Sequence, residues 1–145
     1  MLIRLLMLGK TRRPEIRALL DDYAARIRRF AELEISELRQ DSPALRRAGR
    51  IEIAPGATVV LLDAAGKQHN SQQFARWLGA TRDRGVREIA FLCGAAEGFP
   101  DSLARRATTR ISLSSLTFSH ELARVMLAEQ LYRAFATLAG HPYPK

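Results

Sequence analysis

Cysteine, lysine, aromatic side chains and long apolar runs are all scarce in this 145-residue chain, and each scarcity removes a class of explanation. One cysteine, Cys93, excludes an internal disulfide and a Cys-rich zinc site, so no structural metal is expected. Its place at the end of Ile89-Ala90-Phe91-Leu92-Cys93 marks a small buried hydrophobe in a strand rather than an activated thiol. Nothing apolar approaches the roughly 20 residues needed to cross a bilayer. The opening Met1–Lys10 puts Arg4 inside a short apolar run and has no small-residue cleavage site, so it reads as a first strand and the expected compartment is the cytoplasm. A Gly-rich dinucleotide fingerprint and a P-loop are also missing, because Gly94-Ala95-Ala96-Glu97-Gly98 has neither the spacing nor the lysine they require.

What is present is a balanced globular composition, 47% apolar and 26% charged, long enough for one domain spanning 1–145. Net charge is +8, and only Lys10, Lys67 and Lys145 among the 23 basic residues are not arginine. Arginine forks match phosphate oxygens, so the excess favours a polyanionic partner; it also fits a merely solvated surface, and charge alone does not choose.

Patterning predicts alternating strands and helices. Leu2–Leu8 reads as a strand, Pro14 to about Phe30 as a helix with Pro14 in its first turn, and Leu33–Ser36 as a half-buried strand. The stretch Arg39–Arg50 is charged and weakly patterned, and Ile51-Glu52-Ile53 could be a strand or the end of a helix. Thr58–Asp63 has the continuous aliphatic run of a strand buried on both faces, with Gly66 and Lys67 in the loop after it. Asn70 or Ser71 then caps a helix that ends by Gly85. Strand Glu88–Cys93, a short helix from Pro100 to Ala107, strand Arg110–Leu113 and a long helix from His120 to Ala139 complete the chain. The last helix is apolar over so much of its circumference that it predicts burial on two sides, by its own sheet and by a second subunit. The fold class is therefore α/β with a mainly parallel sheet. Ligands in such sheets bind beyond the carboxyl ends of the strands, which selects the loops Asp63–Asn70, Gly94–Pro100 and Leu113–Ser119.

The run Ser112-Leu113-Ser114-Ser115-Leu116-Thr117-Phe118-Ser119-His120, continuing through Glu129-Gln130-Leu131-Tyr132-Arg133-Ala134, resembles the C-terminal signature of the RlmH family. These are ribosomal RNA pseudouridine N3-methyltransferases of the SPOUT superfamily. The likeness covers nearly the whole chain, including Gly9-Lys10, Leu61–Lys67, the turn before Glu97-Gly98 and His141-Pro142-Tyr143. It implies a deep trefoil knot in the C-terminal half, a homodimer, 23S ribosomal RNA as substrate and S-adenosylmethionine as cofactor. Carried over residue by residue, it implies a cofactor site of Leu62, Gly94, Leu113, Ser114, Ser115, Leu116, Thr117 and Phe118, in or beside the loops chosen above.

The acceptor nitrogen has to be aligned with an activated methyl donor and relieved of its proton, and no metal is needed for that. Candidate catalytic groups are His120, Arg124, Tyr143 and Lys145, with Glu97 nearby. His120 could instead cap the last helix, Arg124 could pair with Glu121, and Glu129 with Arg133 reads as a structural i,i+4 pair beside a core Tyr132. Two departures from the family pattern stand out. Ala95 replaces a second glycine, and Pro144 stands where the family tail carries histidine; the Arg39–Pro55 region is also slightly short. An active RNA methyltransferase is the leading reading. A knotted RNA- or ribosome-binding protein without turnover is the alternative, and charge disfavours a small-molecule binder.

Overall fold

A strict two-residue alternation organises the sheet in a computed structural model that describes residues 1–39, 53–94 and 99–143. In β1 (Leu2–Leu8), Ile3, Leu5 and Met7 face one side while Leu6 and Leu8 face the other. The same split recurs in β4 (Glu88–Cys93), where Ile89, Phe91 and Cys93 oppose Ala90 and Leu92. Between them in sequence come α1 (Pro14–Ile27), β2 (Glu32–Leu38), β3 (Thr58–Gln68) and α2 (Ser71–Asp83); after β4 come α3 (Asp101–Ala104), β5 (Thr109–Ser112) and α4 (His120–Leu138). Five strands, all parallel in keeping with the alternation of strands and helices, lie in the order β2-β1-β4-β3-β5.

Three helices cover one face. Ile16, Leu20, Ala24 and Ile27 form the buried stripe of α1, and α4 runs between α1 and α2. The stacked rings of Phe30 and Phe135, with Tyr132 tilted against both Phe30 and Tyr23, close the α1–α4 seam. The opposite face is covered more thinly, by Leu103 of α3 with Phe99, Ala104 and Ala107.

Local signals place most of the boundaries. Pro14 opens α1, which stops at Ile27 rather than Phe30 because the chain tightens there, Phe30 N donating to Ile27 O at 2.8 Å before Glu32 joins the sheet. Asn70, not Ser71, caps α2: its side chain accepts from Gln73 N while its own N–H donates to Gln73 Oε1, both at 2.8 Å.

One expectation needs correction. β3 does not end at Asp63 but continues to Gln68, leaving β5 after the Leu62–Ile111 pair and rejoining it with Lys67 opposite the same Ile111. Gly66 permits this crossing, since a Cβ there would lie 2.8 Å from the Arg110 carbonyl carbon and 2.9 Å from Ile111 N. The sequence hides this extension because Asp63-Ala64-Ala65-Gly66-Lys67-Gln68 lacks the large apolar side chains of a buried strand, and backbone pairing with Ile111 and Ser112 holds it. The apolar girth of α4, in turn, is largely consumed within the chain, where Leu127, Leu131, Tyr132 and Phe135 are buried against α1, α2 and the sheet. Only Leu122 and Met126 stay exposed, at 45% and 39%. The undecided segment Arg39–Arg50 with Ile51-Glu52-Ile53 lies outside the described residues except at Arg39 and Ile53.

Candidate active site

A cavity of about 820 Å³ opens at the carboxyl edge of the sheet, beyond β3, β4 and β5, with α3 on one side and the start of α4 on another. Seven of the eight residues assigned to cofactor binding line it: Leu62, Gly94, Leu113, Ser114, Leu116, Thr117 and Phe118. Ser115 does not; it is exposed. Leu61, Phe99 and Ala104 make the wall mostly apolar, and Asp63, Asp101, Arg110, Ser119 and His120 supply its polar groups. The size lies within the ordinary range for small-molecule sites.

The loop after β5 holds its shape with its own hydroxyls. Ser112 Oγ donates to Ser114 O at 2.8 Å, Ser114 Oγ accepts from Leu116 N at 3.0 Å, and Ser119 Oγ caps α4 by accepting from Leu122 N at 3.3 Å. Ser112 and Ser119 therefore spend these bonds on backbone, and the contacts left for a ligand come largely from main-chain groups and apolar side chains. Gly94 is needed for space rather than for an unusual backbone angle: a Cβ there would press to 3.0 Å against the ring of Phe99, itself a wall of the cavity. These features fit an adenosyl group, which needs a thin apolar slot and a few backbone partners. On the rim, Arg110 Nη1 donates to Asp63 Oδ2 at 3.0 Å, and the other oxygen of Asp63 accepts from Ala65 N. The Cys93 thiol forms part of the lining, but burial pushes it up to about 12, so it is protonated and inert at neutral pH, as expected for a strand-end hydrophobe.

The four candidate catalytic residues separate. His120 lines the cavity from the first position of α4; Ser119, not His120, is the cap. Arg124 is fully buried and does not line the cavity. Its guanidinium donates to Leu8 O at 2.6 Å, Gly9 O at 2.9 Å and Thr11 Oγ1 at 2.8 Å, tying the loop after β1 to α4, and burial holds its pKa below the usual range. The Glu121 pair expected as an alternative for Arg124 does not form, because its guanidinium is engaged by these three oxygens. Glu121 is itself buried, and accepts from Arg12 N at 3.1 Å and Arg13 N at 3.0 Å. Tyr143 lies away from the cavity of its own chain, its hydroxyl donating to Glu129 Oε1 at 3.1 Å and its ring meeting Tyr132 edge-on with centroids 4.5 Å apart. Burial, with Tyr23 and Glu129 as hydrogen-bonding neighbours, raises the Tyr143 pKa. Arg133 Nε donates to Glu129 Oε1 at 3.1 Å, so the expected i,i+4 pair forms and also anchors the tail. Lys145, Pro144, Ala95, Ala96, Glu97 and Gly98 lie outside the described residues.

Asp63, Phe99, Asp101 and Arg110 were not singled out from sequence. Phe99 lies within the Gly94–Pro100 loop already selected and Asp101 directly follows it. The Asp63–Arg110 pair spans 47 positions and has no local signature. Among the described residues, no group of three or more His, Cys, Asp or Glu side chains is placed to hold a metal ion, and no helix is long and apolar enough to cross a membrane.

Residues 1–144 match the family described as "Predicted SPOUT methyltransferase". The chain is 42% identical over 151 aligned positions to the Ribosomal RNA large subunit methyltransferase H of Pelobacter propionicus and 41% identical to that of Geobacter sulfurreducens, with 99% of this chain and 99% of each relative covered. Among solved structures, a probable methylase family protein from Haemophilus influenzae matches with a TM-score of 0.56 at 11% identity, covering 99% of this chain and 70% of that one. The SpoU methyltransferase AviRb from Streptomyces viridochromogenes, solved with the cofactor AdoMet, matches at 0.54 and 14% identity, covering 95% and 58%. Likenesses at this identity speak for the fold alone.

Proposed function

Because the chain belongs to the SPOUT methyltransferase family, we propose that it transfers a methyl group from S-adenosylmethionine to large-subunit ribosomal RNA, at N3 of a pseudouridine. The observation that carries this reading is the convergence of Leu62, Gly94, Leu113, Ser114, Leu116, Thr117 and Phe118 on one cavity at the carboxyl edge of a parallel sheet. The cofactor supplies an already activated methyl group on a sulfonium. What remains for the chain is to hold the acceptor in line and to deal with its proton. Neutral N3 carries a hydrogen and is a poor nucleophile, so transfer would form the N–CH3 bond as the methyl–sulfur bond breaks, with the N3 proton passing to an acceptor on the chain. His120, on the cavity wall, is assigned as the proton acceptor. Arg124, occupied by three backbone and hydroxyl oxygens, keeps α4 and the loop after β1 in register.

The working unit in this reading is a cytoplasmic homodimer. Leu116, Leu122 and Met126 are exposed at 71%, 45% and 39%, and a partner's surface on them would bring its tail, with Tyr143 and Lys145, towards the cavity of the first subunit. The double pairing of Ile111 with Leu62 and Lys67 supports a knotted path for the chain.

The decisive experiment incubates the purified protein with S-adenosylmethionine and ribosomes carrying unmethylated RNA, then locates methyl groups by mass spectrometry. One methyl per large subunit on a pseudouridine is expected. Deleting 141–145 should leave cofactor binding by calorimetry intact but remove transfer, whereas Pro144→His should keep or raise the rate. Cofactor binding without any transfer by the intact protein would overturn the enzymatic reading in favour of a non-catalytic ribosome-binding protein.

A further inference from the structure

The cations of this chain are treated unequally by the fold. Arg17 pairs with Glu37, Arg26 with Asp22, Arg110 with Asp63 and Arg133 with Glu129. Lys10, Arg12 and Arg13 are exposed, and none of their side chains has an ion-pair or hydrogen-bond partner among the described residues. They occupy one five-residue loop, Gly9–Arg13, between β1 and α1.

That loop is held firmly by its backbone. Arg124 binds its carbonyls at Leu8 and Gly9 and the hydroxyl of Thr11; Arg17 Nη2 donates to Thr11 O at 3.0 Å; Glu121 accepts from the N–H groups of Arg12 and Arg13; and Gly9 N donates to Leu38 O at 2.6 Å. The acids that could neutralise its side chains are engaged elsewhere. Glu121 is buried under the backbone and Glu37 is taken by Arg17, leaving Glu15 as the exposed acid of the following turn. The loop's place is equally fixed. β1 neighbours β4 with Met7 opposite Cys93, so Gly9 emerges beside the Gly94 end of the cavity. Glu121, which holds the loop, follows directly on His120, which lines it.

We infer that Lys10, Arg12 and Arg13 form a pre-set clamp for the sugar-phosphate backbone of the RNA beside the methyl-transfer cavity. The inference rests on the ribosomal RNA reading above. A fixed backbone carrying free cationic side chains lowers the ordering cost of binding, and forked guanidinium groups suit phosphate oxygens. No aromatic side chain lies between Gly9 and Arg13, so the loop has no platform on which to stack a base. It therefore contributes affinity and register but not sequence choice.

The test compares Lys10→Ala/Arg12→Ala/Arg13→Ala with a variant of equal charge, Arg29→Ala/Arg76→Ala/Arg87→Ala, whose residues are exposed and lie away from the cavity lining. For the loop variant, KM for unmethylated ribosomes should rise about 10-fold or more, with kcat changed less than about twofold and S-adenosylmethionine affinity unaltered. The slope of log affinity against log salt should shrink by about 2, at about 0.7 for each of three phosphate contacts. The control should leave both nearly unchanged, and Arg12→Lys/Arg13→Lys should restore most of the slope. An unaltered KM and slope in the loop variant, or an equal loss in the control, would overturn the clamp. If the intact protein binds ribosomes without methylating them, the same salt slopes measured by binding alone decide the clamp, and the failure belongs to the enzymatic reading only.

Discussion

The two edges of the sheet are built on opposite rules. At the amino edge, polar groups answer one another: Arg4 lies 3.4 Å from Glu34 and 3.6 Å from Glu88, Glu88 also accepts from Ala54 N, and Arg28 donates to Leu33 O. The depression there, lined by Arg28, Glu32 and Glu34, is about half the volume of the cavity, about 430 Å³. At the carboxyl edge the cavity wall is mostly apolar, Leu116 is 71% exposed, and Lys10, Arg12 and Arg13 project without a partner among the described residues. Groups satisfied within the chain maintain the fold, whereas groups left unsatisfied on a braced frame are available to partners. Substitutions at the two edges should therefore have different consequences.

The largest expected effect is on association. In the proposed dimer, Leu122→Glu/Met126→Glu places four carboxylates where a two-fold interface should bury four apolar side chains. At about 1.5 kcal/mol each, roughly 6 kcal/mol is lost, enough to raise the dimer dissociation constant about 10⁴-fold. Light scattering at micromolar concentration should report a monomer for the variant and a dimer for the parent. A parent that is already monomeric would remove the partner's tail from the mechanism.

Arg124 tests what braces the functional edge. Arg124→Met keeps the bulk of the side chain but leaves Leu8 O, Gly9 O and Thr11 Oγ1 without their donor, so stability to urea should fall by about 4 kcal/mol. Glu34→Gln, at an exposed ion pair on the other edge, should cost no more than about 0.5 kcal/mol. Equal losses would show that the edges differ in exposure but not in construction.

Gly94→Val acts on the cavity alone. The added branches must displace Phe99 from the wall, an overpacking of about 3 kcal/mol that should weaken S-adenosylmethionine binding about 100-fold by calorimetry while leaving the fold intact. Unchanged affinity would move the cofactor elsewhere.

How far each of these features could be read from sequence depends on the range of the interaction behind it. The apolar runs of β1 and β4 and the stripe of α1 are local, and the sequence displays them directly, whereas the choice between Asn70 and Ser71 as cap needs the side-chain geometry. Strand-end logic located the segments after β4 and β5 that line the cavity, whereas Asp63–Asn70 is mostly strand and contributes only Asp63 and Ala64; the family resemblance named seven of the lining residues. Arg124 was misread because its partners at Leu8, Gly9 and Thr11 lie more than 110 positions away, and helix spacing points only to Glu121. The second half of β3 was hidden for a related reason: Asp63 to Lys67 has no large apolar side chain, and only its renewed pairing with Ile111, more than 40 positions away, makes it a strand. The girth of α4 was visible, but a stripe cannot say whether α1, α2 or another subunit covers it.

The smallest effect concerns Glu121, which joins the brace to the clamp. Its carboxylate accepts from Arg13 N and Arg12 N, and these bonds, against the opposing cost of burial, hold its pKa below the usual carboxylate value. A lowered folded pKa means that the ionised form is favoured by folding. The associated stability is present above the unfolded value of about 4.3 and is lost as pH falls through the lower folded value. Glu121→Gln removes the charge at every pH and weakens a helix-start cap, for which about 1 kcal/mol is a reasonable cost. Urea melts at pH 7 should therefore separate parent and variant by that amount, and the gap should close progressively below about pH 4. Amide exchange at Arg12 and Arg13 should quicken in the variant, since both N–H groups lose their charged acceptor. A gap independent of pH would show that Glu121 acts by packing and that the clamp's backbone is held by Arg124, Arg17 and the Gly9–Leu38 bond.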